Sequence, residues 1–334
     1  MKRILIFLLS FIIGILLFVW VIKWVGWKEI KEILSTFSGW EGVAILGITF
    51  LIWAVGVWKH KFIYKSQGYN LPVFSLGEIL LASFAITYLF PTSYFGGEAF
   101  KLYGIKKKFS LPWDKNITAF TIEKLVSLSV ILLFLVVGVI SFFLLASPLL
   151  RNFGLICFVF IGSLITGLTI FYFKSFKKES ILKWFLKIFR VKERNHLIED
   201  IEKDVFHFFD FRKILMWKGL GIAFLRNLLI LIRCWLLISF LMGDVSIFVA
   251  LAVLFFTHLS YLFPLPAKLG GLEVTEVFIF GSLGLGAATG ISFSFLLRGI
   301  EIIVSLLGLI FLLKLGIRFF MGSVEDRVKI NNFS

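Results

Sequence analysis

Eleven charged side chains stand in stretches of this sequence that are otherwise as apolar as hydrocarbon: the basic Lys124, Arg226, Arg233, Lys268 and Arg298, and the acidic Glu78, Glu98, Glu123, Glu273, Glu276 and Glu301. At the centre of a membrane span each costs about 2.5–3.5 kcal/mol on insertion scales. Left unpaired, they would together cost on the order of 30 kcal/mol, more than a fold's net stability. Glu78 and Glu276 are expected to escape by reaching an interface; the rest must pair or face water. Arg298 and Glu301, three residues apart, can pair within one helix. Arg226 and Arg233, seven apart, point along nearly the same helix face. The chemistry these types suit is anion recognition, because a guanidinium fork holds two phosphate oxygens. An interior lined by Arg233, Arg298 and Lys268 with glutamate partners fits an anionic headgroup. A set of structural ion pairs tying helices together fits the same residues.

A repeat tells where these charges meet. Residues 87–98 read TYLFPTSYFGGE and residues 260–273 read SYLFPLPAKLGGLE. Tyr88-Leu89-Phe90-Pro91 is identical to Tyr261-Leu262-Phe263-Pro264, Gly96-Gly97 answers Gly270-Gly271, and Glu98 answers Glu273. Glu123 and Arg298 each follow 25 residues beyond their glutamate. Proline stops an incoming helix by removing a donor. A glycine pair permits reversal. The outgoing helices are expected to start near Gly97 and Gly271 with a glutamate in the first turn, where the helix dipole favours negative charge. Free N–H groups at such a start form an anion site, whereas capping by the glutamate alone would be a purely structural use.

The elements carrying these motifs follow from composition. Of 334 residues 59% are hydrophobic and only 16% charged, against about 25% charged in soluble domains. Apolar runs near 4–22, 43–58, 117–146, 153–173, 217–242 and 293–314 have the roughly 20-residue length that spans hydrocarbon. Two more, 73–90 and 247–263, run into the Pro/Gly repeats and read as hairpins entering and leaving by one face. That arrangement puts 26 Lys and Arg inside and leaves only Lys23, Lys28, Lys31 and Arg151 outside, as the positive-inside rule requires. It also gives the two hairpins opposite orientation, the mark of inverted-repeat transporters. The fold class is therefore an all-α polytopic membrane helix bundle, with about six full spans plus two inverted re-entrant Pro/Gly-Gly hairpins. One domain is expected over 1–334: a first half, 1–173, with hairpin 73–116; a cytoplasmic amphipathic segment, 174–218; and a second half, 219–334, with hairpin 247–284. The 174–218 segment reads either as helices lying on the inner leaflet or as a helical hairpin packed under the bundle. Residues 23–40 read as an outer interfacial helix. Both termini are expected in the cytoplasm, in a multi-pass plasma-membrane protein.

Other classes lose support from the residues. The net charge of +15 belongs to loops beside anionic lipid, and no nucleic-acid motif accompanies it. Cys157 and Cys234 lie in apolar runs and read as small core residues. Lys59, His60, Lys61 and Lys65 read as cytoplasmic loop, with His60, His196 and His207 solvated; His258 stands alone before the second hairpin tip. No nucleotide, metalloprotease or serine-hydrolase motif occurs, so no cofactor, metal or catalytic residue is expected. Met1-Lys2-Arg3 before an apolar run resembles a signal peptide, but the run is long and no cleavage site follows. It is expected to be a retained span.

Pro91, Gly97-Glu98 and Lys101 resemble the Pro…Gly-Glu…Arg motif of the transmembrane, flippase-like region of lysylphosphatidylglycerol synthases, with Lys101 where arginine is usual. Glu123-Lys124-Leu125 resembles that family's Glu-Arg-Leu element, with Lys124 for arginine. Pro266, Gly270-Gly271 and Glu273 resemble its Pro…Gly-Gly-x-Gly…Glu motif, and Arg298 falls where a late membrane arginine stands. The resemblance covers almost the whole chain and implies a lipid-handling membrane region. About twenty residues follow the last span, so the soluble aminoacyl-transferase domain of full synthases, and lysyl transfer with it, is not expected. The leading expectation is translocation of an anionic phospholipid or lipid-linked molecule, with membrane lipids as partners. The alternatives are an ion-coupled transporter of a soluble anion, a membrane transferase acting on a lipid carrier, and an accessory subunit to a separate lipid-modifying enzyme. The candidate site comprises Pro91, Gly96, Gly97, Glu98, Lys101, Glu123, Lys124, Arg226, Arg233, Pro266, Lys268, Gly270, Gly271, Glu273, Arg298 and Glu301.

Overall fold

The computed structural model describes residues 39–89, 94–145, 151–177, 196–261 and 269–331, with Lys23, Trp27 and Lys28 besides. The expected first span, most of the 23–40 helix, residues 178–195, and Pro91, Pro264, Pro266 and Lys268 lie outside the described residues. The described chain is helical and has no strand. Its helices are α1 (Gly39–Ser66), α2 (Val73–Leu89), α3 (Tyr94–Phe109), α4 (Trp113–Leu145), α5 (Arg151–Lys177), α6 (His196–Phe208), α7 (Ile214–Met242), α8 (Ile247–Ser260), α9 (Gly271–Ser282) and α10 (Ala287–Asn331). Four are long and apolar enough to cross a membrane: α1, α4, α7 and the Ala287–Gly316 part of α10. Their outward faces carry large apolar side chains, among them Phe50, Leu144, Ile310 and Leu313. A soluble protein avoids apolar surface on that scale. The helices overrun the apolar runs that seeded them, so Lys59 and His60 belong to the last turns of α1 and not to a loop.

Proline and glycine set the lengths of the short helices. α2 ends two residues before Pro91 and α8 four before Pro264, as the lost donor dictates. α9 begins as expected at Gly271, behind Gly270 at φ +77°, a conformation glycine adopts without penalty. α3 departs from expectation: it starts at Tyr94, so Gly96 and Gly97 lie inside its first turn and Glu98 lies beyond it. Gly97 is needed there for another reason. A Cβ at that position would collide with the Thr87 hydroxyl and come within 2.5 Å of the Ser83 carbonyl oxygen. The Ser83 hydroxyl donates to the Gly97 carbonyl at 2.7 Å. The glycine allows α2 and α3 to lie backbone to backbone.

Packing exchanges elements between the halves. α1–α4 and α7–α10 repeat the same order of long, short, short, long, as the sequence repeat requires. α2 of the first set lies on α10 of the second, α8 lies on α4, and α1 lies on α7. The short-on-long crossings are built alike. A Cβ on Gly138 of α4 would sit 2.7 Å from the Leu251 carbonyl oxygen and 2.8 Å from Phe255 Cβ. One on Gly308 of α10 would collide with the Leu81 carbonyl oxygen and meet Ala85 Cβ at 2.9 Å. In each case a glycine faces residues i and i+4 of the short helix, so the ridges close to backbone distance. α6 packs on α4, with Phe208 and Phe209 wholly buried and the Lys115 ammonium donating to Asp204 at 2.5 Å. This described part of 174–218 is thus fastened to the bundle.

Gly138→Leu or Gly308→Leu should destabilise the detergent-solubilised protein by about 1–3 kcal/mol through overpacking, read as a lower melting temperature. Gly47→Ala, whose Cβ meets nothing within 4 Å, should leave it unchanged.

Candidate functional site

Three packed arrangements hold most of the described charges that the sequence places at membrane depth. The first gathers α1, α3 and α4. Glu123 sits 7% exposed and accepts from the Lys59 ammonium at 2.7 Å and the Ser127 hydroxyl at 2.9 Å. Lys59, 3% exposed, also donates to Ser127 Oγ at 2.5 Å. The other Glu123 oxygen lies 3.9 Å from both Lys101 and Lys124. Those two lysines close on Glu98 at 2.5 and 2.6 Å. His60 turns Nδ1 to the Gly56 carbonyl oxygen at 2.9 Å and leaves Nε2 4.0 Å from Glu123. Below, the Tyr64 hydroxyl donates to Asn116, whose amide donates to the Leu102 carbonyl oxygen, both at 2.7 Å. With α4 gripped at two levels, Glu98, Lys101 and Glu123 form one continuous group.

The second arrangement belongs to α8, α9 and α10. Glu273 is wholly buried. One oxygen accepts from the Gly270 N–H at 2.9 Å, capping α9, and the other forms an ion pair with Arg298, 2.5 Å from Nη2. The cap uses one of the backbone donors that a bare helix start would offer to an anion. Arg298 is thus tied across helices to Glu273, whereas spacing alone allows Glu301 one turn along. Glu301 instead accepts from the Tyr261 hydroxyl at 3.3 Å. The repeat partner Tyr88 lies within electrostatic reach of Glu301, Arg298 and Glu273. The two repeat tyrosines therefore converge on one ion group. Glu276 does not reach a surface as expected, whereas Glu78 lies beside the half-exposed Lys314. Glu78 is buried between Lys108 and Lys314, each at 2.5 Å, and Glu276 is fully buried beside Thr257.

The third arrangement is a seam between α1 and α7. Arg233 donates to Thr49 Oγ1 at 3.3 Å, and Arg226 lies against Gly56, its Nε 3.3 Å from where a Cβ would stand. Seven-residue spacing on both helices puts the guanidinium groups one above the other, roughly 10 Å apart. Among the described residues neither arginine has a carboxylate at ion-pair distance. The seam continues into a groove of about 470 Å³ lined by Trp58, Phe62, Lys218, Gly221, Ile222 and Leu225.

Of the candidate residues, Glu98, Lys101, Glu123 and Lys124 come together, as do Gly270, Glu273, Arg298 and Glu301. Glu98 and Glu273 have different ion partners, two lysines for the one and Arg298 for the other. Gly96, Gly97 and Gly271 shape helix starts. Lys59, His60, Tyr88 and Thr257 are additional participants. The signal for Lys59 was its position one residue past an apolar run on the inward face of α1, from which Lys65 points away, exposed.

The buried ion groups, the outward apolar faces and the four long apolar helices define an integral membrane helix bundle. A family model for the lysylphosphatidylglycerol synthase TM region matches residues 7–308, and the chain belongs to that family. No curated protein and no solved structure matches it.

Glu123→Gln should cost about 3–5 kcal/mol in thermal denaturation, because it strands buried cations. Adding Lys59→Met should recover part of the loss. A double variant as unstable as the single one would show that attraction to Lys59 is not what Glu123 contributes.

Proposed function

We propose that the protein moves an anionic phospholipid or lipid-linked anion between the leaflets of the bilayer, the headgroup passing along the α1–α7 seam. The observation that carries this reading is the pair Arg226 and Arg233: two half-buried guanidinium groups on one helix face, at membrane depth, with no carboxylate partner among the described residues. Desolvated cations at such depth are costly, and a phosphate relieves that cost while it passes. The adjoining groove favours a lipid over a soluble anion. Its walls are mainly apolar, with Lys218 among them, so acyl chains and a negative headgroup are served together. The lysine-rich first group adds positive potential: Lys59, Lys101 and Lys124 against Glu98 and Glu123.

In this reading α2–α3 and α8–α9 are re-entrant hairpins of opposite orientation. At 17, 16, 14 and 12 residues these helices are about 18–26 Å long, short of the roughly 30 Å hydrocarbon core. Six full spans and cytoplasmic termini in the plasma membrane complete it. With Cys157 and Cys234 replaced, Lys107→Cys should stay shielded from an impermeant thiol reagent added outside intact cells, and Asp244→Cys should label. External labelling at 107 would overturn the hairpin arrangement.

The function is tested by reconstituting the full chain with headgroup-labelled anionic phospholipid and following leaflet exchange with an impermeant quencher. The wild type should accelerate exchange. Arg226→Gln and Arg233→Gln should each slow it about tenfold, a loss of ~1.4 kcal/mol, at unchanged melting temperature. Arg233→Lys should be nearly as slow if two oxygens must be held together. Exchange no faster than in protein-free vesicles would overturn the reading, and uptake of a water-soluble anion in its place would establish a soluble-anion transporter.

A further inference from the structure

Glu276 belongs to neither the seam nor an ion pair. It is 0% exposed, and among the described residues no cation stands at ion-pair distance from it: Arg298 closes on Glu273 and Arg233 on Thr49. Among the described residues its Oε2 has no hydrogen-bond partner. Its Oε1 meets one group, the Thr257 hydroxyl, at 2.7 Å. That same hydroxyl lies 2.9 Å from the Val253 carbonyl oxygen, four residues back along α8. A threonine hydroxyl carries one hydrogen. If Glu276 were a carboxylate, Thr257 Oγ1 would face two acceptors with a single proton. Both contacts are hydrogen bonds only when the carboxyl supplies the second proton. Among the described residues, no cation and no donor besides Thr257 offsets the desolvation of a carboxylate there.

From this geometry we propose that Glu276 is an intramembrane proton-binding site, and that the proton is a co-substrate exchanged against the transported anion. The exchange rests on the lipid-translocation reading above; the proton site does not. When the site opens to water, the carboxyl releases its proton, and the carboxylate that forms takes the Thr257 hydrogen as the hydroxyl turns away from Val253. No other bond changes. The charged and titratable surroundings suit a group poised between the two forms. On its own helix stands Glu273, held by Arg298 and Gly270. On α8 and just beyond it are His258, whose Nδ1 is 2.8 Å from the Leu254 carbonyl oxygen, and Tyr261. α7 presents Cys234 and Arg233, α10 presents Arg298 and Glu301, and α2 presents Tyr88. Glu276 is next to a compensated ion group without sharing its cation. An anion passing Arg233, which shares Cys234 and Tyr261 as neighbours with Glu276, would alter the field at Glu276 and so link the two loads.

The test uses the full chain in vesicles containing anionic phospholipid. Dicyclohexylcarbodiimide modifies protonated carboxyls in apolar surroundings; peptide mass spectrometry should find the adduct on Glu276, declining as pH rises. Glu276→Gln should abolish both the adduct and an infrared carbonyl band of a protonated carboxylic acid. Thr257→Val removes the one donor that stabilises the ionised form, so its adduct should persist to higher pH; this variant keeps the question answerable should Glu276→Gln fail to fold. Absence of adduct and band at Glu276 overturns the proton site. A transmembrane pH gradient should change lipid exchange several-fold in the wild type and leave Glu276→Gln, locked in the neutral form, unresponsive. Exchange indifferent to the gradient in the wild type overturns the coupling while the lipid reading stands. Adduct formation and gradient-driven proton entry without any lipid exchange would retain the proton site and overturn the lipid reading.

Discussion

A charge carried into an apolar bundle must be met by a partner from another helix, and three carboxylates impose that requirement on most of this protein. Glu123 draws Lys59 of α1 and Lys101 of α3 to α4. Glu78 draws Lys108 of α3 and Lys314 of α10 to α2. Glu273 caps α9 and holds Arg298 of α10. Each fixes the relation of separate helices, because withdrawing either partner would leave a buried charge uncompensated. Apolar side chains against lipid tails supply no comparable preference, since the bilayer is as apolar as they are. Close packing at Gly138 and Gly308 then adds precision to an arrangement that electrostatics selects.

The two halves use one plan with different chemistry. Equivalent short helices cross equivalent long ones at glycines, and the repeat tyrosines Tyr88 and Tyr261 meet at a single group. Yet the first half pairs its motif glutamate with two lysines, and the second with an arginine and a backbone N–H. Lysine presents a mobile point charge, arginine a fixed fork. The first group can rearrange around a visitor without losing all its bonds; the second, doubly anchored, cannot. The seam between α1 and α7, where Arg233 meets Thr49, Arg226 lies against Gly56 and neither has a carboxylate at ion-pair distance among the described residues, is the least committed place between the halves.

How much was legible in the sequence depended on whether the deciding information was local. The all-helical class, the repeated order of elements and the start of α9 at Gly271 follow from apolar run length, Pro and Gly. The family match over 7–308 accords with motifs read from Gly97-Glu98, Glu123-Lys124 and Gly270-Gly271. Lys59 and His60 were misplaced because an apolar-run boundary marks where hydrophobicity ends, while α1 continues for two more turns on buried polar contacts. The pairing of Arg298 with Glu273 escaped because intrahelical spacing is visible in a sequence and the approach of α9 is not. The same limit hid Glu276: nothing in Thr257 or Glu276 separately announces that they meet. The start of α3 at Tyr94 escaped because a glycine pair reads as a turn, whereas here Gly97 serves the contact with α2.

The clasp between Glu78 and Lys314 has a bearing on how the protein is made. Its partners are 236 residues apart. At about 5–20 residues per second of synthesis, α2 would wait on the order of ten to fifty seconds for α10 to emerge. Throughout that interval Gly308 is absent from beside Leu81, and among the described residues of its own half Glu78 has Lys108 alone as a cation partner. The first half enters the bilayer incomplete, its crossing surface covered by lipid or by the insertion machinery, and becomes native only when the last long helix arrives. An interlocked pair of halves is thus assembled late and at once, so the nascent chain spends most of its synthesis dependent on whatever shelters α2.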